Sequence, residues 1–117
     1  MQVSWVKCKG GVYCDLFKLD VTHKNLTGLD GVYIIWTGAE GNRRVLRVGC
    51  GDIQTEFVRL RKDLSMQAFA HLGASVTWTV VEPTKHHNIM AFLIQKYHPS
   101  IIENNKVAKP IEVNLPW

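Results

Sequence analysis

Two apolar runs, rich in β-branched and aromatic residues and joined by a glycine-rich connection, dominate the hydrophobic pattern of this chain. The first begins at Gly31-Val32-Tyr33 and continues to Trp36, and the second ends at Arg47-Val48-Gly49. The connection contains residues that supply positive φ angles in tight turns: Gly38, Gly41 and Asn42. The pattern therefore predicts two neighbouring antiparallel strands, with Tyr33 close to Arg47.

Two segments with helical periodicity follow this hairpin. Asp52 is suited to cap the first helix. The apolar residues of that helix recur every three or four positions and form one stripe: Ile53, Phe57, Leu60 and Leu64. The second helix runs from about His87 to Tyr97, stops before Pro99 and is apolar on nearly every side, so we expect it to be largely buried.

The remaining segments complete an α+β pattern. The run from Val76 to Val81 alternates in polarity and predicts a third strand, and the stretch from Ile111 to Leu115 predicts a short edge strand or a docked tail. The element order predicts an α+β fold, a small central antiparallel sheet of about three strands flanked by helices. We divide a single domain, residues 1–117, into a packed N-terminal arm (1–28), a core (31–99) and a C-terminal tail (100–117).

Composition and charge narrow the function classes. The chain has 117 residues, 46% of them hydrophobic and 21% charged, which fits one globular domain and excludes an extended disordered chain. Its formal charge of +4 favours a polyanionic partner, because clustered Lys and Arg bind phosphates. No run has membrane-spanning length and the first residues contain no apolar leader, so we expect a cytoplasmic location and no membrane partner.

The cysteines give no recognisable metal site. Cys8 and Cys14 could join His23, but the spacing matches no common zinc motif and a fourth ligand is not evident. Packed or incidental thiols in a reduced compartment are therefore expected at these positions. Cys50 lies between two glycines at a strand-to-helix turn, but it has no obvious base beside it in the sequence, so we do not expect nucleophilic catalysis.

The paired strand motifs resemble the signature of the GIY-YIG nuclease superfamily. The stretch from Val48 to Asp63 resembles the strand, turn and helix that follow the second motif, and the stretch from Phe92 to Pro99 resembles the last helix of that superfamily. The resemblance implies a three-stranded sheet flanked by helices and a metal-dependent phosphodiesterase. It also implies four site positions: two motif tyrosines, an arginine on the first helix and a glutamate on the last.

Three of these four positions are altered in this chain. Tyr33 is retained, but the second tyrosine is Arg47, which has a pKa above about 12 and cannot accept a proton from water. The arginine position holds Glu56, whose carboxylate repels phosphate, and the glutamate position holds Met90, whose thioether does not hold Mg²⁺. Arg59, one turn beyond Glu56, is a possible substitute for the arginine.

The resemblance therefore implies a degenerate site, and we expect little or no hydrolysis by the superfamily mechanism. No residue is assigned a catalytic role, no metal ligand is assigned, and no cofactor is expected unless a rebuilt site uses Mg²⁺ or Mn²⁺. Glu82 and Glu103 are the carboxylates nearest to the last helix in sequence, but one precedes the helix and the other follows Pro99. Neither is expected to replace the glutamate.

The basic residues favour nucleic acid as the partner. The candidate phosphate contacts lie on the hairpin and on the first helix: Arg43, Arg47, Arg59, Arg61 and Lys62, with Tyr33 or Trp36 available to stack a base. Strand alternation predicts that Arg43, Val45 and Arg47 share one side of their strand and that Arg44 projects from the other.

Three functional hypotheses remain open. The leading one is a GIY-YIG-like domain that has lost its nuclease activity and serves as a nucleic-acid-binding or structural module. The second is an active metal-dependent endonuclease with a rearranged site. The third is a protein–protein interaction domain that keeps only the fold.

Overall fold

One four-stranded antiparallel sheet, in the order β1-β4-β2-β3, organises the molecule. The computed structural model describes residues 1–101 and 108–117. The strands are β1 (Cys14–Asp15), β2 (Asp30–Thr37), β3 (Arg44–Asp52) and β4 (Ser75–Val80), and the α-helices are α1 (Ile53–Lys62), α2 (Leu64–Gln67) and α3 (His86–Tyr97). Short 3-10 turns occupy Lys9–Gly11, Lys24–Leu26 and Pro83–Lys85. This is the predicted α+β class, with one more strand than the three expected.

The β2–β3 hairpin contains a β-bulge that the sequence pattern did not predict. Ile35 pairs with Arg47 and Trp36 pairs with Val45, so Leu46 is the extra residue in β3. Val45 packs into the core beside Trp36, whereas Leu46 belongs to the core on the opposite face. The prediction that Arg43, Val45 and Arg47 share one side is therefore wrong, because the bulge shifts the alternation between Val45 and Arg47.

Each face of the sheet carries its own hydrophobic core. Helices α1 and α2 cover one face, where the largest buried side chains include Tyr33, Phe57 and Trp78. Helix α3 and the C-terminal tail cover the other face, where Trp36 and Leu93 are buried. Because β2 is buried on both faces, its sequence is apolar without interruption from Val32 to Trp36 rather than alternating.

Helix α1 begins as expected and ends earlier than the apolar stripe implies. The Asp52 carboxylate accepts a hydrogen bond from the Thr55 backbone N–H at 2.9 Å and caps the first turn. The helix stops at Lys62, because Asp63 takes an extended conformation and caps α2 instead. Leu64 consequently lies outside the buried stripe with 82% of its surface exposed, and its predicted place in that stripe is wrong.

The two terminal segments pack against each other over the α3 face. The Val3 N–H donates to Asn114 Oδ1 at 2.7 Å, Asn114 Nδ2 donates to the Val3 carbonyl at 2.9 Å, and Trp5 Nε1 donates to the Asn114 carbonyl at 2.8 Å. The stretch from Ile111 to Leu115 is therefore the docked tail rather than a strand. No helix in the described part of the chain has both the length and the hydrophobicity to cross a membrane.

Candidate functional site

The Tyr33 ring lies across the backbone of β3. It is completely buried on the α1 face and passes directly over Gly49, its partner in the strand register. A Cβ atom at Gly49 would stand 2.2 Å from the Tyr33 hydroxyl oxygen, so a side chain at this position is excluded while the ring is in place. The hydroxyl donates to Glu56 Oε1 on α1 at 2.9 Å. Gly49 thus provides the space through which the phenol reaches the helix.

Glu56 joins Tyr33 to a partly exposed guanidinium group. Arg59 Nη2 lies 3.0 Å from Glu56 Oε1, and Arg59 Nε lies 3.3 Å from Glu56 Oε2, so the arginine fork holds both carboxylate oxygens. The Arg59 side chain is 46% exposed, whereas that of Glu56 is only 18% exposed. The structure therefore places Arg59, the possible substitute arginine, at the solvent boundary, where Glu56 links it to the Tyr33 hydroxyl.

A second ion pair extends this polar region toward the end of α1. Arg47 is almost fully buried, and its Nη1 lies 3.4 Å from Asp63 Oδ2. The other oxygen of Asp63 accepts hydrogen bonds from the Ser65 N–H and hydroxyl. The Ser65 hydroxyl is the main cause of a lowered pKa at Asp63, and the Arg47 charge adds to it. We call Tyr33, Arg47, Glu56, Arg59 and Asp63 the polar seam.

The positive and negative charges of the polar seam balance, and this balance bears on whether the seam can bind a metal ion. Two guanidinium groups face two carboxylates, so the seam as a whole carries no excess of either sign. Within residues 1–101 and 108–117, no three His, Cys, Asp or Glu side chains are grouped so that they could hold a metal ion. The Glu56 carboxylate beside Tyr33 is held by Arg59, so the residues of the polar seam do not fit a divalent cation as they are arranged.

The fourth site position implied by the resemblance lies on the other side of the sheet. Met90 is 2% exposed and packs into the core beneath α3, with Val32 and Leu93. Tyr33, Arg47 and Glu56 all belong to the α1 face, so the sheet separates them from Met90. Glu82 is exposed and pairs with Lys85 at 2.9 Å, and Glu103 lies outside the described residues.

The basic residues that were predicted to form one group lie on different parts of the molecule. Arg61 points back to the N-terminal arm and donates to the Leu16 carbonyl at 2.7 Å and to the Leu19 carbonyl. Arg43 lies over aromatic rings on the α3 face, and Lys62 is exposed on α1. The structure therefore does not unite all the basic candidates in one groove.

Both aromatic candidates for base stacking are buried. Trp36 is 2% exposed and lies behind Tyr13 and Trp117, and Tyr33 is fully enclosed. Two partly exposed aromatic rings on the α3 face, Tyr13 and Trp117, were missed as site residues by sequence analysis. Nothing in the pattern signalled them, because their position depends on how the arm and the tail dock. Asp63 was missed as well, although its spacing to Ser65 is typical of a capping residue.

The expectation for the first two cysteines is wrong. Cys8 and Cys14 form a disulfide with each other rather than remaining as packed thiols, and the bond closes the loop around the Lys9–Gly11 turn. Disulfides are typical of oxidising compartments and rare in the reduced cytoplasm, so this bond argues against the expected reduced setting. Cys50 lies half-buried near the end of β3. The cytoplasmic location itself stays a prediction.

Comparison with known proteins returned no matching family model, no matching curated protein and no matching solved structure. The relation to GIY-YIG nucleases consequently remains a resemblance of motifs.

Proposed function

We propose that this protein is a GIY-YIG-like domain that binds nucleic-acid phosphates without cleaving them. The observation that carries the proposal is the chain of contacts from Tyr33 through Glu56 to Arg59. It leaves a half-exposed guanidinium at the edge of the region where the resemblance locates a nuclease site. Arginine binds phosphate through the same fork of donors that it presents to a carboxylate, so a phosphate would replace Glu56 on the Arg59 fork.

The same contacts argue against hydrolysis by the superfamily mechanism. The Tyr33 hydroxyl donates its hydrogen to a carboxylate, and a negative charge occupies the position where the resemblance expects a positive one. A charge-stabilising group contributes about 10²–10³-fold to rate in enzymes of known mechanism, so reversing its sign is costly. Met90, behind the sheet, provides no oxygen ligand for a metal.

Binding measured across a range of salt concentrations tests this proposal. Fluorescence anisotropy with labelled duplex and single-stranded DNA and RNA, between low and physiological salt, should show affinity that falls with salt. Arg59→Ala should weaken binding about tenfold, or about 1.4 kcal/mol, and should lower the salt slope by about one. Lys96→Ala removes a cation from α3 on the other face and is the matched control. Absence of binding at low salt, or equal affinities for the Arg59→Ala and Lys96→Ala variants, would refute the proposal.

A second candidate function, phosphodiester cleavage, is favoured by the 2.9 Å contact between Tyr33 and Glu56. This contact places a carboxylate beside the retained motif tyrosine, although not at the position the resemblance implies. Nicking of supercoiled plasmid in the presence of Mg²⁺ or Mn²⁺ would support this candidate only if Tyr33→Phe and Glu56→Gln both abolish it. Nicking that survives in both variants would indicate a contaminating nuclease.

A further inference from the structure

The α3 face carries a cluster of aromatic rings built from distant parts of the chain. The Trp117 ring is its centre, with ring centroids 4.3 Å from Trp36, 5.2 Å from Tyr97 and 6.3 Å from Tyr13. Tyr13 Oη donates to the Pro116 carbonyl at 2.9 Å, and Tyr97 Oη lies 3.4 Å from the Trp117 carbonyl. We call Tyr13, Trp36, Tyr97 and Trp117 the aromatic platform. Its hydrogen bonds hold the tail, and therefore the Trp117 ring, in a defined position.

Two cations lie over the platform. The Arg43 guanidinium carbon is 4.8 Å from the Trp117 ring centroid and 5.9 Å from that of Tyr13, and Lys7 Nζ is 4.9 Å from the Tyr13 centroid. Both are cation–π distances. In contrast to the arginines of the polar seam, these two cations lie against π faces, and neither forms a salt bridge with a carboxylate of the described residues.

A shallow hollow lies beside these groups. Its volume is about 230 Å³, and it is lined by Gly41, Arg43 and Trp117. Gly41 lies in the hairpin turn with a positive φ of 87°, and nothing stands within 4 Å of the position that a Cβ would take there. The hollow is therefore bounded by an indole ring, a planar guanidinium and a bare stretch of backbone.

We propose that this hollow binds an unpaired nucleobase of a single-stranded nucleic acid. The base stacks on the outer plane of the Arg43 guanidinium, which the Trp117 ring supports from below, and Lys7 contacts an adjacent phosphate. Aromatic rings combined with cations are the usual means of binding single strands, because every base has a π face and every linkage has a charge. Duplex nucleic acid hides its bases in the stack and should bind here weakly.

The proposal rests on the proposed function only in requiring a nucleic-acid partner, since it uses different residues on the opposite face of the sheet. The platform is also suited to keep its geometry during binding. Burial raises the pKa of Tyr97 to about 12, so its phenol remains protonated, and able to donate to the tail, even above the ordinary tyrosine pKa of about 10. A protein partner is the competing occupant, and failure of the protein to bind any single-stranded probe would favour it.

Anisotropy of labelled oligothymidylate and oligouridylate, compared with a DNA hairpin of equal charge, tests the proposal. Arg43→Ala and Trp117→Leu should each weaken single-strand binding about tenfold and change duplex binding less than twofold. Arg43→Lys keeps the charge but removes the planar stacking surface, so it should restore the salt dependence and not the single-strand preference. The oligothymidylate and oligouridylate arms distinguish DNA from RNA.

Lys96→Ala is the matched control, because Lys96 Nζ lies 5.6 Å from the Phe92 ring centroid, which is a similar cation–π contact away from the hollow. Circular dichroism of each variant shows whether it has folded, and Arg43→Lys decides the outcome if Trp117→Leu does not fold.

Equal losses of affinity in the Arg43→Ala and Lys96→Ala variants, or equal losses of affinity for single strands and duplex, overturn the platform site. If binding depends on Arg59 and not on Arg43, the platform site is overturned and the proposed function stands. If binding depends on Arg43 and not on Arg59, the role of the polar seam is overturned and the platform site stands. A protein that binds neither single-stranded probe overturns the platform site.

Discussion

The contact between Gly49 and Tyr33 shows how one missing side chain determines the geometry of the polar seam. The phenol can reach Glu56 only because β3 offers bare backbone beneath it. Sequence analysis predicted that Tyr33 lies close to Arg47, whereas the strand register pairs Tyr33 with Gly49 and Arg47 with Ile35. It assigned no role to the glycine of the second motif, because a ring crossing a neighbouring strand leaves no periodic signal.

We expect Gly49→Ala to lower the free energy of unfolding by about 1–3 kcal/mol, since its Cβ would overlap the buried Tyr33 ring. Denaturant unfolding measures this change. In a Tyr33→Leu background the added methyl group meets no ring, so the same substitution should cost less than about half as much, and the two changes should be strongly non-additive. Strictly additive effects would show that the ring does not lie over Gly49.

The hydrogen bonds and the ion pair of Asp63 predict that the stability of the folded protein depends on pH. The pKa of Asp63 in the folded protein lies below the unfolded value, because the carboxylate accepts hydrogen bonds from Ser65 and faces Arg47. Its contribution to stability is therefore present above the unfolded pKa of about 4 and is lost as the pH falls through the folded value. Asp63→Ala should cost about 2–3 kcal/mol at neutral pH, through the lost cap and the lost ion pair with the buried Arg47.

Stability measured between pH 7 and pH 2 in urea checks this expectation. The difference between the natural protein and the Asp63→Ala variant should be constant from pH 7 to about pH 5 and should shrink below about pH 4. Asp20→Ala is a suitable control, because the pKa of Asp20 is also lowered but its hydrogen-bond partner Thr22 is an exposed neighbour. A difference that grows on acidification would contradict the assignment.

At the scale of elements, the disulfide loop of the N-terminal arm adds the strand that the pattern missed. Cys14 is both a disulfide partner and half of β1, where it pairs with Val76 of β4. A two-residue strand is too short to give alternation, and pairing of two cysteines cannot be deduced from spacing alone. The longer elements β2, β4, α1 and α3 were predictable, because each buries a continuous or periodic set of apolar residues.

Cys8→Ser should lower the free energy of unfolding by about 2 kcal/mol, because the bond constrains a short loop in the unfolded chain. Reducing agent should lower the stability of the natural protein by a similar amount and leave the variant unchanged. Alkylation of the protein in intact cells, followed by mass spectrometry, determines whether the disulfide exists in the cellular compartment that holds the protein. A stability that does not respond to reductant would indicate that the thiols are not bonded.

At the scale of the whole molecule, the sheet divides two surfaces of different character. The α1 face presents paired charges around a buried tyrosine, and the α3 face presents cations stacked on aromatic rings. Part of this arrangement followed from the sequence, which placed Tyr33, Arg47 and Glu56 in neighbouring elements. The platform did not, because Tyr13 and Trp117 come together only through the docking of segments more than a hundred residues apart.

Because the sheet separates Arg43 from Arg59, their contributions to binding should be independent. The double variant Arg43→Ala/Arg59→Ala should weaken single-strand binding by the product of the two single effects, with an error of about 0.5 kcal/mol. Anisotropy titrations of the four proteins at one salt concentration give this comparison. A double variant no weaker than the stronger single variant would indicate that both arginines contact the same phosphate.

The bulge in β3 has a consequence for how this hairpin tolerates changes in length. Val45 and Arg47 already pair with adjacent residues of β2, so Leu46 is an insertion that the ladder has absorbed. Deleting Leu46 would leave every other residue of the hairpin on its present side, and only its own buried side chain would be lost from the core. Deleting a neighbouring residue of β3 in a regular stretch would turn the side chains beyond it to the wrong side. Leu46 thus marks the position in the hairpin where a shorter chain can keep both surfaces intact.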